Sequence, residues 1–353
     1  MSGRLARSRN QYPDESLRHT LPDMKRLLVP AFLLLVPVGP AQAQDDDGAQ
    51  GAATPSQPRM SLASTTGIKD GKDRFVLARQ NVVVKGVVRP YVSGQRVIVK
   101  VDRGGKGVER EEVALERRRD GSGEFELSFR AAKTGKHTIT AEHVATPELA
   151  AVSTRYKVHA IKTPRAGGGA RGQRVRLLQT ALTDQGYAVG RSGRFDRNTA
   201  YAVAALRNVN RLGREGYASK RVYELLFRNR AAFKLRSPQA WRQGTKGKHV
   251  EFDKSRQVIV LARYGKPERV VYTSSGTSST PTIYGRYRFY RKSPGTNSKG
   301  MVHSSYFIRG YAIHGYKSVP TYPASHGCLR VPIPLARGVF NWVDVGDPIH
   351  SYQ

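Results

Sequence analysis

Polar and apolar residues alternate along the first half of the chain, and the period then changes. Phe125, Leu127 and Phe129 alternate with Glu126, Ser128 and Arg130, and Val97, Val99 and Val101 share one face. Residues 81–88, 137–144 and 153–161 are further runs rich in β-branched residues, while Gly104-Gly105 and Asp120-Gly121-Ser122-Gly123 are turn signals. Short strands at this spacing predict an Ig-like β-sandwich over residues 69–161. His137, His143 and His159 read as solvated strand residues rather than metal ligands, and Arg117-Arg118-Arg119 as part of a charge-mixed solvated face.

A Pro/Gly-rich linker from Thr163 to Gly172 ends that pattern. Val175, Leu178 and Leu182 then fall at helical spacing. Thr199, Val203, Leu206 and Asn210 do so after Asp196, a candidate N-cap. Val222, Leu225 and Leu226 mark a third short helix, so residues 165–236 are expected to form a small three-helix domain. From Val250 the pattern returns to β. Residues 257–262 and 269–273 flank Tyr264-Gly265-Lys266-Pro267, a hairpin turn. Ser274 to Thr280 is a polar loop, and residues 287–290, 304–308 and 311–313 are further strands. The chain is therefore expected to be mainly β and multidomain.

Length and charge narrow what such a chain does. Its 353 residues suggest two or three domains, and a net charge of +33 suggests a polyanionic partner. Met24-Lys25-Arg26, the apolar run Leu27 to Val38 and Ala41-Gln42-Ala43 have the layout of a secretory signal peptide over residues 24–43. The run is too short for a membrane span. Residues 1–23 then read as a start overcall, and 44–68 as a flexible leader. An exported basic protein meets an anionic cell wall before it meets DNA. No nucleic-acid motif is evident, and no spacing calls for a metal or cofactor.

Cys328 is the only cysteine. An exported protein usually pairs its thiols or avoids them. A lone thiol reads either as a small core residue or as a reactive group. A cysteine nucleophile needs a base or a positive field. Ser325-His326-Gly327-Cys328-Leu329-Arg330 supplies both, and His314 lies on a strand that the following loop can bring back to the sulfur. Gly327 allows a bend or a positive φ beside it.

Ile313-His314-Gly315 followed by Ser325-His326-Gly327-Cys328-Leu329-Arg330 strongly resembles the YkuD-like L,D-transpeptidase family over residues 248–353. Thr280-Pro281-Thr282-Ile283-Tyr284-Gly285 is an altered form of a further family pattern, and residues 316–323 form an inserted loop. Val175 to Gln179, Gly186-Tyr187 and Gly193-Arg194-Phe195-Asp196 resemble peptidoglycan-binding-like domains.

The first resemblance implies Cys328 as nucleophile, His314 as base and then acid, and His326 as support for the thiolate. It implies Ser325, Gly327, Arg330 and Gly315 as shaping residues, with the Gly327 and Cys328 amides as oxyanion donors and a backbone carbonyl as the usual partner of the histidine. It further implies a thioester on the third residue of a peptidoglycan stem, loss of the fourth-position D-alanine, 3→3 crosslinks, and acylation by carbapenems. The alternatives are an L,D-carboxypeptidase, another cysteine acyl-transfer enzyme of the wall, and a non-catalytic wall-binding scaffold. His303 reads as a surface or loop histidine.

Overall fold

The computed structural model describes residues 54–353. The expected signal peptide at 24–43, the segment before it and the leader up to residue 53 lie outside the described residues.

Ten strands come first: β1 (Arg59–Ser64), β2 (Ile68–Asp70), β3 (Asp73–Leu77), β4 (Asn81–Arg89), β5 (Arg96–Arg103), β6 (Lys106–Ala114), β7 (Glu116–Arg117), β8 (Gly123–Arg130), β9 (Gly135–His143) and β10 (Val152–Ile161). They form one sheet ordered β1-β4-β8-β7 and another ordered β2-β3-β10-β9-β5-β6. The alternation explains why they face each other. Val82, Val84 and Val88 of β4 and Phe125, Leu127 and Phe129 of β8 meet Val97, Val99, Val101, Ile139 and Ala141 of the second sheet in one core.

Two expectations fail here. The leader expected at 44–68 contains β1, which pairs antiparallel with β4 from Arg59↔Arg89 to Ser64↔Val84. Met60 and Leu62 pack against the core beneath it, a short alternation hidden by polar neighbours. His137 and His143 are not solvated, being 1% and 2% exposed. They share the inward face of β9 with Ile139 and Ala141, and the His137 ring lies 5.8 Å from that of Phe129.

Three helices follow: α1 (Gln173–Asp184), α2 (Arg197–Val209) and α3 (Lys220–Phe227). Asp196 caps α2 by accepting the Thr199 N–H at 2.8 Å. The buried faces of the helices form one core, and that core continues beyond them. It includes Ile68, Phe75 and Leu77 on one side and Val258, Val260, Val270, Tyr272 and Val319 on the other.

The last third contains β11 (Lys248–Asp253), β12 (Val258–Arg263), β13 (Lys266–Tyr272), β14 (Gly285–Arg288), β15 (Arg291–Thr296), β16 (Val302–Ile308), β17 (Tyr311–Tyr316), β18 (Leu329–Pro332), α4 (Ile333–Trp342) and β19 (Pro348–Tyr352). One sheet runs β13-β12-β11-β19-β14 and a second runs β15-β16-β17-β18. The β12–β13 hairpin turns at Tyr264 and Gly265, both at positive φ, as the sequence predicted. β12 is buried on both faces. Ile259 and Leu261 join Phe252, Phe307, Ile313, Leu329 and the α4 residues Ala336 and Val339 in the inner core, while Val258 and Val260 face the helices. The helical segment also adds to the sheet edge: Val270 N–H donates to Gly186 O at 2.7 Å and Ala188 N–H to Val270 O at 3.1 Å.

Among the described residues no helix is long and apolar enough to cross a membrane. No group of three or more His, Cys, Asp or Glu side chains among them is placed to hold a metal ion.

Candidate active site

β17 and β18 run side by side in parallel, with Ile313 opposite Leu329 and His314 opposite Arg330. Ile313, Leu329 and Val331 point into the inner core. Side chains alternate along a strand, so Ala312, His314 and Tyr316 share the other face with Cys328 and Arg330. Cys328 sits beside Ala312 and packs on the small cluster of Met301, Tyr306 and Ala312. His314 is two pairs further along. Two residues of rise and one strand spacing separate the Cα atoms by roughly 8 Å, within reach of side chains leaving the same face.

The orientation of His314 is fixed by its own strand. The residue is 3% exposed, and its Nδ1 lies 2.9 Å from the carbonyl oxygen of Gly315. A carbonyl only accepts, so Nδ1 carries the hydrogen and Nε2 keeps the lone pair of a base. Burial pushes the ring below its ordinary pKa near 6.5; the Gly315 carbonyl opposes that shift and the charge of Arg330 adds to it. The ring is therefore neutral at pH 7. Burial also pushes the Cys328 thiol up, against the Ala312 backbone and the positive charges of Arg330 and Lys299. The thiol points toward Gly310 O, 3.6 Å away. Both shifts favour the uncharged forms, a thiol and a neutral imidazole.

Arg330 holds its guanidinium 4.3 Å above the ring of Tyr316, whose edge meets the His314 ring at 5.7 Å and 90°. This stack keeps a permanent positive charge near Cys328 and His314.

The loop that delivers Cys328 is held by hydrogen bonds at nearly every step. Ser325 Oγ donates to Cys328 O at 2.6 Å and accepts from the Gly327 N–H at 3.1 Å. Thr282 Oγ1 donates to Gly327 O at 2.8 Å and accepts from Gly276 N–H at 3.0 Å. Ala324 and Ser325 N–H both donate to Ser275 O, at 2.9 and 3.0 Å, and Gln257 fixes Ser275 from behind. Gly327 has φ +107°, and a Cβ there would lie 2.1 Å from Tyr311 Cε1, so no other residue fits without rearrangement.

The sequence-predicted residues fall into three groups. Cys328, His314 and Arg330 come together on one face, and Ser325 and Gly327 shape the turn before the sulfur. Gly315 contributes its carbonyl to His314, and a Cβ there would lie 2.6 Å from Ala336 of α4. His326 does not join them: it is exposed, and none of the hydrogen bonds around the sulfur involves its ring. The Gly327 amide, expected as an oxyanion donor, is already engaged by Ser325, which leaves the Cys328 amide as the candidate of that pair. The scaffold residues Gln257, Ser275, Gly276 and Thr282 went unassigned in the sequence, although the polar run 274–280 and the altered Thr280-Pro281-Thr282 pattern marked the place. His303 is half-buried, its ring 5.5 Å from that of Phe340.

Comparison with known proteins finds a family match over this part of the chain. Residues 247–350 match the model of the YkuD family, described as an L,D-transpeptidase catalytic domain. No curated protein matches the chain. Among solved structures, an L,D-transpeptidase from Xylanimonas cellulosilytica is 29% identical over 55% of this chain and 98% of its own, with a TM-score of 0.47. The catalytic domain of an Enterococcus faecium L,D-transpeptidase, solved as the form acylated by ertapenem, is 24% identical over 30% and 96%, with a TM-score of 0.26. An L,D-transpeptidase from Mycobacterium tuberculosis H37Rv is 12% identical over 81% and 97%, with a TM-score of 0.28. Residues 247–350 of this chain are a YkuD L,D-transpeptidase catalytic domain.

Proposed function

We propose that this protein is an exported L,D-transpeptidase that forms 3→3 crosslinks in peptidoglycan through a thioester on Cys328. The reading is supported by the Nδ1–H bond from His314 to Gly315 O, which leaves Nε2 as the basic nitrogen of a ring on the same strand face as Cys328. Nε2 takes the thiol proton as the sulfur attacks the carbonyl of the third stem residue. The C–N bond to the fourth-position D-alanine breaks, and the imidazolium returns the proton to the departing amine. A side-chain amine of a second stem then attacks the thioester, His314 accepts its proton, and the thiol is restored. Arg330 supports the thiolate through space, and the Cys328 N–H serves the oxyanion. The same acylation by ertapenem is expected, since the β-lactam ring presents a strained carbonyl to the sulfur. The signal-peptide pattern at 24–43 and the basic charge support a role in the wall compartment.

The test is product analysis. Purified protein incubated with tetrapeptide-bearing muropeptides should yield 3→3 dimers and free D-alanine by mass spectrometry. Tripeptides alone would make the protein an L,D-carboxypeptidase, with water as acceptor. Unchanged substrate would leave a wall-binding scaffold.

A further inference from the structure

The face that carries Cys328, His314 and Arg330 does not end at the catalytic pair. Tyr316 opposes Pro332 one step beyond His314 and Arg330, and both line a cavity of about 350 Å³. Its opposite wall belongs to α2, through Arg197, Asn198 and Tyr201. Lys317 completes the basic side, and Ile333, 43% exposed, gives an apolar floor. The cavity also includes Asp196, whose Oδ1 caps α2 by accepting from both Thr199 N–H and Oγ1–H at 2.8 Å, so its single negative charge faces the two positive charges of Arg197 and Lys317. Arg197 and Lys317 are exposed and form no salt bridge among the described residues.

The walls are fixed relative to each other. Val319, in the loop between Lys317 and the sulfur, is buried in the helical core. Tyr201 stacks on Tyr272 at 5.7 Å, and Tyr272 donates to Pro320 O at 2.8 Å. Arg214, from the loop after α2, donates to Thr321 O at 3.0 Å. Four residues of β rise, from Cys328 to Pro332, correspond to about 13 Å, and an extended tetrapeptide spans about the same distance.

We propose that this cavity is a substrate subsite, built jointly by the helical segment and the catalytic domain, that binds a carboxylate-bearing peptide segment of the chain being acylated. The proposal rests on the transpeptidase reading above and adds where the remote part of the substrate is held. Arg197 and Lys317 meet the carboxylate, while Tyr201, Tyr316 and Ile333 cover the aliphatic part of the peptide. Binding energy taken up here holds the stem equally before and during acylation, so the helical segment contributes to the enzyme's affinity and specificity.

The double variant Arg197→Glu, Lys317→Glu tests this. Steady-state turnover is measured with a tetrapeptide stem and with the same peptide amidated at its side-chain and α-carboxylates, and ertapenem acylation is followed by intact mass. The KM for the carboxylate peptide should rise roughly fivefold with kcat little changed, as expected for exposed charges at a binding rim. The amidated peptide and the rate of ertapenem acylation should be unaffected. Normal turnover with no shift in KM, or an equal shift for both peptides, overturns the subsite alone. Absence of turnover and of acylation in the unsubstituted protein overturns the enzymatic reading and the subsite with it.

Discussion

At the scale of single residues the chemistry depends on which atom of His314 is free. Because Nδ1 is held by a backbone carbonyl, no side-chain substitution removes that partner, and the ring itself is the sensitive point. His314→Ala should slow acylation of Cys328 by about 10²- to 10⁴-fold, the usual worth of a positioned general base, measured by ertapenem adduct formation over time. The pH dependence follows from the direction of the shift. The folded-state pKa of His314 is lowered, so the ring stays a base throughout the neutral range and loses that capacity only as pH falls below about 6.5. The acylation rate should therefore hold steady from pH 8 to 6.5 and fall on the acid side. A limb above pH 7 would contradict the neutral resting pair.

Cys328 and His314 stood out in the sequence as candidates because a lone thiol and a neighbouring His-Gly are uncommon, and the strand pairing puts both on one face. The Gly315 carbonyl was legible only as a family habit, since every residue carries such an atom. His137 and His143 were misread because polarity was weighed without phase. Counted in twos from Ile139, both fall on the buried face of β9.

At the scale of elements, the loop before β18 acts as a fixed support for the sulfur. Thr282 is its central tie, joining Gly276 N–H to Gly327 O through one hydroxyl. Thr282→Val keeps the shape but leaves both buried backbone groups unpaired, at a cost of about 1–3 kcal/mol each. Chemical denaturation should show a loss of about 2–6 kcal/mol for the two groups together, and acylation should slow with it. Unchanged values for both would mean the loop is held elsewhere. Gly327→Ala should do more damage, since it adds a clash with Tyr311 to the cost of a left-handed backbone.

Most of the strands and the three helices could be read from periodicity, together with the hairpin at Tyr264-Gly265. α4 was missed because Pro332, Pro334 and Gly338 look like breakers. Proline is at home in a first helical turn, and the spacing of Ala336, Val339 and Trp342 does carry the helix. β1 was missed for a related reason: its Ser, Pro and Gln neighbours outweighed two apolar side chains.

At the scale of the whole molecule, the catalytic domain does not bury its own surface completely. Val258, Val260, Val270, Tyr272 and Val319 are covered by the helical segment. Exposing five such side chains costs on the order of 10 kcal/mol, comparable with the total stability of a domain. A fragment of residues 247–353 should therefore melt far below the protein that keeps the helices, or aggregate. A fragment beginning at residue 163, with the helices retained, should keep its acylation rate but melt somewhat lower than the longer protein, because Ile68, Phe75 and Leu77 no longer cover the other side of the helices. Nothing in the alternation of the strands reveals this dependence. β12 reads as continuously apolar, which signals burial on both faces but not what covers them.

The most direct measurement is the intact mass of the purified protein after incubation with a tetrapeptide stem lacking an acceptor amine. A transient acyl adduct equal to the stem without its terminal D-alanine should form, mapped to Cys328 and absent from the Cys328→Ala protein. An adduct that survives that substitution, or none at all in a folded protein with its thiol reduced, would contradict a thioester on Cys328.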